Sequence, residues 1–131
     1  MTFDHARGEQ AYKKMNLEII REYCLKKKGV EEESPFGVDN PVYKVMGKIF
    51  LIASLNPPIT INVKCNPSKA IDLRERYEEV QPGYHMNKKH WNTIDLEGTL
   101  KDNLILEMIN HSYDLVVEGL SKKEKEKLKD N

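Results

Sequence analysis

The alternation of apolar and polar residues in the middle of the chain predicts antiparallel strands. It is clearest from Ile59 to Cys65, a pattern typical of a strand with one buried face. Upstream, Val42 to Met46 and Ile49 to Leu55 lie on either side of Gly47-Lys48, which predicts a hairpin. Two further short strands are expected around a connection over residues 84–90, the second from Trp91 to Leu96.

Three amphipathic segments predict helices before, between and after these strands. Asn16 and Asn66 precede the first two segments as N-caps, and the third begins near Asp102 and stops at Gly119. Apolar residues recur three or four positions apart in each segment, which places them on one helix face. These residues are Leu17, Ile20 and Cys24, then Ala70, Leu73 and Tyr77, then Leu104, Met108 and Leu115.

The order of elements predicts an α+β fold. A helix, three or four strands, a helix, two strands and a helix favour one antiparallel sheet with helices packed on one face. Residues 1–14 have no regular apolar pattern and are expected to be an N-terminal extension or an expression remnant. The domain is expected to span residues 15–120, and residues 121–131 form a charged tail, either helical or frayed.

The charge balance restricts the function classes. The 131 residues include 21 Lys plus Arg and 21 Asp plus Glu, so the net charge is zero. A protein that binds nucleic acid with its whole surface would need a basic excess, which leaves only a local basic patch. Cys24 and Cys65 are far apart and indicate neither a disulfide framework nor a zinc ribbon. Because no apolar run is long enough to span a bilayer and the N-terminus lacks the apolar region of a signal peptide, a cytoplasmic protein that does not bind membranes is expected. The sequence does not determine the oligomeric state, and a monomer is favoured.

The densest group of aromatic, basic and amide side chains lies in and around the connection between the last two predicted strands. Aromatic rings can stack on bases, lysines can contact phosphates and amides can hydrogen-bond base edges. Arg74 and Arg76 on the preceding helix are expected to face water and to extend this patch. In the alternative interpretation, Trp91 is core or half-core and the lysines only keep a loop soluble. The candidate nucleic-acid-binding residues are Arg74, Arg76, Tyr84, His85, Asn87, Lys88, Lys89, His90, Trp91 and Asn92.

Three segments resemble the MmcQ/YjbR-like family of small bacterial proteins. They are Glu33-Ser-Pro-Phe-Gly continuing to Phe50, Pro82-Gly-Tyr-His-Met-Asn-Lys-Lys-His-Trp-Asn-Thr-Ile, and Asn110-His-Ser-Tyr-Asp-Leu-Val-Val. With the first helix they cover about residues 15–120. The resemblance implies a frataxin-like (CyaY-like) α+β fold whose arrangement has been compared to a double-wing DNA-binding motif. It also implies the DNA-binding label that family members commonly carry.

Other chemistry has weaker support. His85 with His90, and His111 with Asp114, are two-residue combinations that provide no third or fourth metal ligand. His111 is instead expected to bond a loop carbonyl or a tyrosine. No motif of a nucleophilic, phosphate-binding or metal-dependent enzyme is present, so no catalytic residue, metal or cofactor is assigned.

The main rival to DNA binding is a non-enzymatic protein-interaction module with no nucleic-acid affinity. A helix-free sheet face could bind an unidentified protein through aromatics such as Tyr43, Phe50, Tyr84 and Trp91. Tyrosine and tryptophan are frequent in both kinds of interface, so residue types do not separate the two functions. The salt dependence of binding does separate them.

Overall fold

The computed structural model describes residues 15–83 and 86–130. The predicted α+β fold is confirmed, with one antiparallel sheet and its helices on one face. Residues 1–14, expected to be an extension, lie outside the described residues. The elements are α1 (Leu17–Leu25), β1 (Val30–Glu33), β2 (Val42–Val45), β3 (Lys48–Ser54), β4 (Thr60–Lys64), α2 (Pro67–Arg76), β5 (Val80–Pro82), β6 (Trp91–Asp95), α3 (Asp102–Glu118) and α4 (Lys122–Lys129).

The six strands follow the order β1-β2-β3-β4-β6-β5, and all neighbours are antiparallel. The predicted hairpin joins β2 to β3, but its two turn residues are Met46 and Gly47, one position earlier than expected. Their φ angles are +51° and +80°, as a two-residue turn that matches the strand twist requires. Pro82 ends β5, which lies at the edge of the sheet, where a residue without an N–H group is tolerated.

The core lies between the sheet and the helices. In β4 and β6 the buried residues alternate with half-buried ones, so Ile61, Val63 and Ile94 face the helices. Helix α3 buries Ile105 and Met108 among others, whereas Leu104 and Leu115, predicted on this face, are only half-buried. Among the described helices, none combines the length and apolar character needed to cross a membrane.

Both predicted asparagine caps are confirmed. The side-chain oxygen of Asn16 accepts a hydrogen bond from the N–H of Ile19 at 2.9 Å. The side-chain oxygen of Asn66 accepts from the N–H groups of Ser68 and Lys69, at 3.0 and 3.3 Å. These bonds satisfy backbone donors that have no partner within the helix.

The C-terminal tail is more ordered than its charged composition indicates. Ser121 and Glu124 form a reciprocal capping box that starts α4. Leu128, the only apolar residue of this helix, is 7% exposed and belongs to the hydrophobic core. Of the two forms expected for this tail, helical or frayed, residues 122–129 are helical, and Leu128 docks the helix on the core.

Two aromatics expected on an open binding face are buried. Tyr43 and Phe50 are 3% and 0% exposed. The ring of Phe50 packs edge-on against that of Tyr113, with centroids 5.4 Å apart. The hydroxyl of Tyr43 donates to Glu32 at 2.7 Å, and burial followed by this hydrogen bond raises the pKa of Tyr43. The expectation that these two rings contact a partner is wrong.

Ser112 fastens α3 to the sheet. Its hydroxyl oxygen accepts from the N–H of Lys64 at 2.8 Å, and the hydroxyl donates to the carbonyl of Phe50 at 2.5 Å. The pairing of β3 with β4 ends at Leu51 and Val63. The carbonyl of Phe50 and the N–H of Lys64 belong to the next residues beyond this last pair. A side-chain partner therefore satisfies polar groups at the end of the ladder.

We expect Ser112→Ala to lower the free energy of unfolding by about 2 kcal/mol, because it leaves two backbone groups without their partner in a buried position. Urea unfolding followed by circular dichroism measures this change. Ser34→Ala is the matched control, since Ser34 is exposed in a loop and should change stability by less than about 0.5 kcal/mol. Equal stability of the two variants would contradict this role of Ser112.

Candidate functional site

The candidate site is built on the connection between β5 and β6. Its first residue, Gly83, lies so close to β6 that a Cβ atom would be 2.7 Å from the Cβ of Trp91. The N–H of Gly83 donates to the carbonyl of Trp91 at 2.8 Å. Any larger residue at this position would push the two strands apart, because non-bonded carbon atoms pack no closer than about 3.5 Å.

Arg74 anchors the end of this connection to α2. Its Nε donates to the side-chain oxygen of Asn92 at 2.7 Å, and Nη2 donates to the carbonyl of Trp91 at 3.3 Å and also to that of Lys88. The expectation that Arg74 faces water is wrong, because its side chain is half-buried and occupied by these acceptors. The planar guanidinium presents several donors in a fixed arrangement, so one side chain can hold three acceptors.

Asn92 lies beneath the surface rather than on it. It is 1% exposed, and its amide oxygen is directed at Arg74. Its amide nitrogen has no acceptor among residues 15–83 and 86–130. Asn92 therefore supports the loop from inside and does not reach a nucleic acid, contrary to the suggestion that it contacts a base edge.

The exposed part of the connection carries the lysine pair. Asn87, Lys88 and Lys89 are all exposed. The side-chain oxygen of Asn87 accepts from the N–H of Lys89 at 2.9 Å, and its carbonyl accepts from the N–H of His90 at 3.1 Å. The carbonyl of His90 accepts from the N–H of Cys65 at 2.7 Å. The backbone beneath the lysines is thus held by local turn bonds and by neighbouring elements.

The remaining candidate residues are dispersed. Trp91 is half-buried in β6, as the half-core alternative expected, and His90 is also half-buried. Arg76 is exposed and forms an ion pair with Asp72 at 3.2 Å. Tyr84 and His85 lie outside the described residues. The described candidates with exposed cationic groups are therefore Lys88, Lys89 and Arg76.

The helix-free face of the sheet contains a cavity that the sequence did not indicate. Ile52, Asn62 and Thr93 occupy aligned positions on β3, β4 and β6. They form its floor, Phe36 and Met86 reach it from two loops, and its volume is about 840 Å³. None of the described residues that line this cavity carries a charge. We call it the sheet-face groove.

His111 has a structural partner. Its Nε2 accepts a hydrogen bond from the N–H of Asn66 at 3.1 Å, so the expected bond to a carbonyl or tyrosine is wrong. Burial, followed by the charge of Lys69, lowers the pKa of His111. A neutral ring is needed because a protonated Nε2 cannot accept. Within the described residues no three His, Cys, Asp or Glu side chains are grouped as a metal site.

The two cysteines are buried free thiols, as the sequence indicated. Burial raises the pKa of Cys24 to about 12, against a smaller opposite effect of Lys27. Burial also raises the pKa of Cys65, although Lys69 and Arg74 act in the opposite direction. Thiols that stay protonated near neutral pH are poor nucleophiles and poor metal ligands.

Comparison with known proteins identifies the class. The family model YjbR matches residues 25–115. The chain is 36% identical to the uncharacterised protein YbdF of Escherichia coli O157:H7 over 113 residues, 86% of this chain and 93% of that protein. It is 30% identical to the uncharacterised protein YjbR of Escherichia coli K12 over 115 residues, 87% of this chain and 97% of that protein.

Solved structures agree with this result. A crystal structure of a Deinococcus radiodurans protein with a DUF419 domain matches with a TM-score of 0.80 and 31% identity, over 86% of this chain and 87% of that one. A Pseudomonas syringae crystal structure matches with a TM-score of 0.69 and 27% identity, over 77% of this chain and 98% of that one. The protein is thus a small α+β protein similar to these bacterial proteins. It belongs to the YjbR family.

Replacement of Arg74 tests the anchor. We expect Arg74→Ala to lower the free energy of unfolding by about 2–3 kcal/mol, because Asn92 and two carbonyls lose a charged donor. Arg74→Lys should recover little of this stability, since an ammonium group cannot reproduce the planar arrangement of guanidinium donors. Arg76→Ala, which removes an exposed ion pair on the same helix, should cost less than about 1 kcal/mol. Equal effects at both arginines in chemical denaturation would contradict the anchoring role.

The lowered pKa of His111 predicts a pH dependence of stability. The unfolded chain binds a proton near pH 6.5, whereas the folded protein binds it only at lower pH. The contribution of His111 is therefore complete above about pH 6.5 and is lost as the pH falls through the folded pKa. His111→Gln removes this titration, so its free energy of unfolding should fall less than that of the wild type between about pH 7.5 and 5.5. Parallel pH profiles of the two proteins would contradict the prediction.

Proposed function

We propose that this protein binds nucleic acid weakly through the β5–β6 connection, with Lys88 and Lys89 on phosphates. The observation that carries the proposal is a pair of adjacent exposed lysines on an anchored loop. A held backbone lowers the conformational entropy that binding must overcome, because only the two lysine side chains still need to be ordered. DNA is the candidate partner, and its presence in the bacterial cytoplasm agrees with the expected location.

The charges of the site limit its affinity. Arg74 is occupied by protein acceptors, and Arg76 is paired with Asp72. Two phosphate contacts would give a slope of log K against log salt of about −1.8 on a duplex and about −1.4 on a single strand. Such a shallow slope fits a protein of zero net charge and is far from that of a general nucleic-acid-coating protein.

A non-enzymatic interaction module without nucleic-acid affinity is the second candidate. It is favoured by the uncharged sheet-face groove and by Phe36 and Val38, which are 62% and 81% exposed. An apolar surface of this type is also a feature of protein interfaces. This function predicts that no oligonucleotide binds at low salt and that the lysine pair is dispensable.

The first experiment replaces the lysine pair. Lys88→Glu combined with Lys89→Glu should reduce affinity for a labelled oligonucleotide about tenfold or more at about 50 mM salt, because two attractive phosphate contacts become repulsive. Fluorescence anisotropy at about 50 and 200 mM salt measures both the affinity and the slope. A duplex and a single strand are titrated in parallel.

Lys122→Glu combined with Lys123→Glu is the matched control. These adjacent lysines are also exposed, and the change alters the net charge by the same amount at the start of α4, an element that contributes no residue to the candidate site. The control should retain wild-type affinity, and both variants should keep the wild-type melting temperature within a few degrees. Equal losses of affinity in the two variants would mean that net charge, and not the lysine pair at the candidate site, causes the effect. If the folded wild-type protein binds no oligonucleotide, the proposal is overturned.

A further inference from the structure

The composition of the sheet-face groove is unusual for a protein with this many charges. Charged residues make up 32% of the chain, yet none of the residues that line the groove within the described ranges 15–83 and 86–130 is charged. Its apolar side chains include Phe36, Ile52 and Met86, and its polar ones are amides and hydroxyls such as Asn40 and Asn62. A site of this kind suits a neutral, flat group that carries both hydrogen-bond donors and acceptors.

The orientation of Asn62 adds a directional contact. Its amide oxygen accepts from the hydroxyl of Thr93, which fixes the amide plane at the floor of the groove. The residue itself lines the groove. Asparagine amides are well suited to base edges, because one side chain offers both a donor and an acceptor.

The groove adjoins the lysine-bearing loop. Met86, which lines the groove, precedes Lys88 and Lys89 by two and three residues. The backbone spacing between Met86 and these lysines is therefore at most about 7 and 11 Å. A nucleotide with its base beside Met86 would keep its neighbouring phosphates within reach of both ammonium groups.

We propose that the groove receives an unpaired nucleobase, so that the preferred ligand is a single strand of nucleic acid. The exposed ring of Phe36 provides the stacking surface, Asn62 contacts the base edge, and Lys88 and Lys89 contact the phosphates on either side. This inference rests on the proposed function and specifies its ligand. Charge complementarity supports it, since the neutral groove meets the neutral base and the cationic loop meets the anionic backbone.

A duplex fits this arrangement less well. Bases in a duplex are stacked and paired, and bringing one into a recessed cavity requires it to be unstacked and unpaired. An unpaired base has already lost those interactions. The groove therefore predicts a preference for single strands over duplexes that the lysine pair alone would not produce.

The test compares three labelled ligands of about 12 nucleotides by anisotropy at low salt: a thymidine strand, a duplex, and a strand of abasic sites with the same phosphates. The wild type should bind the thymidine strand about tenfold more tightly than the abasic strand and the duplex. Phe36→Ala should remove most of this difference, because the stacking surface is lost. Val38→Ala is the matched control, since Val38 is more exposed than Phe36 and does not line the groove.

Each outcome is decisive. Equal binding of the three ligands, with Phe36→Ala without effect and the lysine variant inactive, would overturn the groove assignment and leave the proposed function standing. Equal losses in Phe36→Ala and Val38→Ala would also overturn it, because the effect would not be specific to the groove. No binding of any ligand would overturn both proposals. Backbone amide shifts of Ile52 and Asn62 on titration with the thymidine strand, absent with the abasic strand, provide an independent confirmation.

Discussion

The candidate site depends on the contact of one arginine with one buried asparagine. Arg74 reaches from α2 to the side chain of Asn92 and to two carbonyls at the end of the β5–β6 connection. The contact gives the buried amide oxygen of Asn92 a charged donor, which it requires because burial removes it from water. This contact fixes the backbone of Lys88 relative to the sheet. The backbone position of the lysine pair therefore depends on Arg74, whose donors are directed at protein acceptors.

The two faces of the sheet have separate tasks. The face that carries Ile61, Val63 and Ile94 is covered by helices and supplies the core. The opposite face retains an uncharged groove with Asn62 at its floor. Since alternate residues of one strand point to opposite faces, each strand contributes to both. The residues that face the core and those that line the groove are therefore positioned by the same strand register.

The sequence predicted what depends on local patterns. The caps at Asn16 and Asn66, the alternation in β4 and the exposure of Lys88 and Lys89 are determined by near neighbours, and the structure agrees with each. The role of Arg74 was missed because its partners are 14 to 18 residues away, where helical spacing alone suggested an exposed face. The docking of α4 was missed for a similar reason, since a single leucine produces no periodicity.

The groove could not be predicted from the sequence, and the reason is geometric. Its floor exists only when the register aligns Ile52 with Asn62 and Asn62 with Thr93, and a shift of one residue in any of these strands would turn that strand's groove residue to the other face. Its sides come from loops about 50 residues apart, Phe36 in one and Met86 in the other. Zero net charge counts against nucleic-acid binding only when charge is averaged over the whole chain. Under the proposed function, a neutral groove beside two exposed lysines needs no basic excess, because stacking and shape would hold the base and only a few phosphates would require a counter-charge.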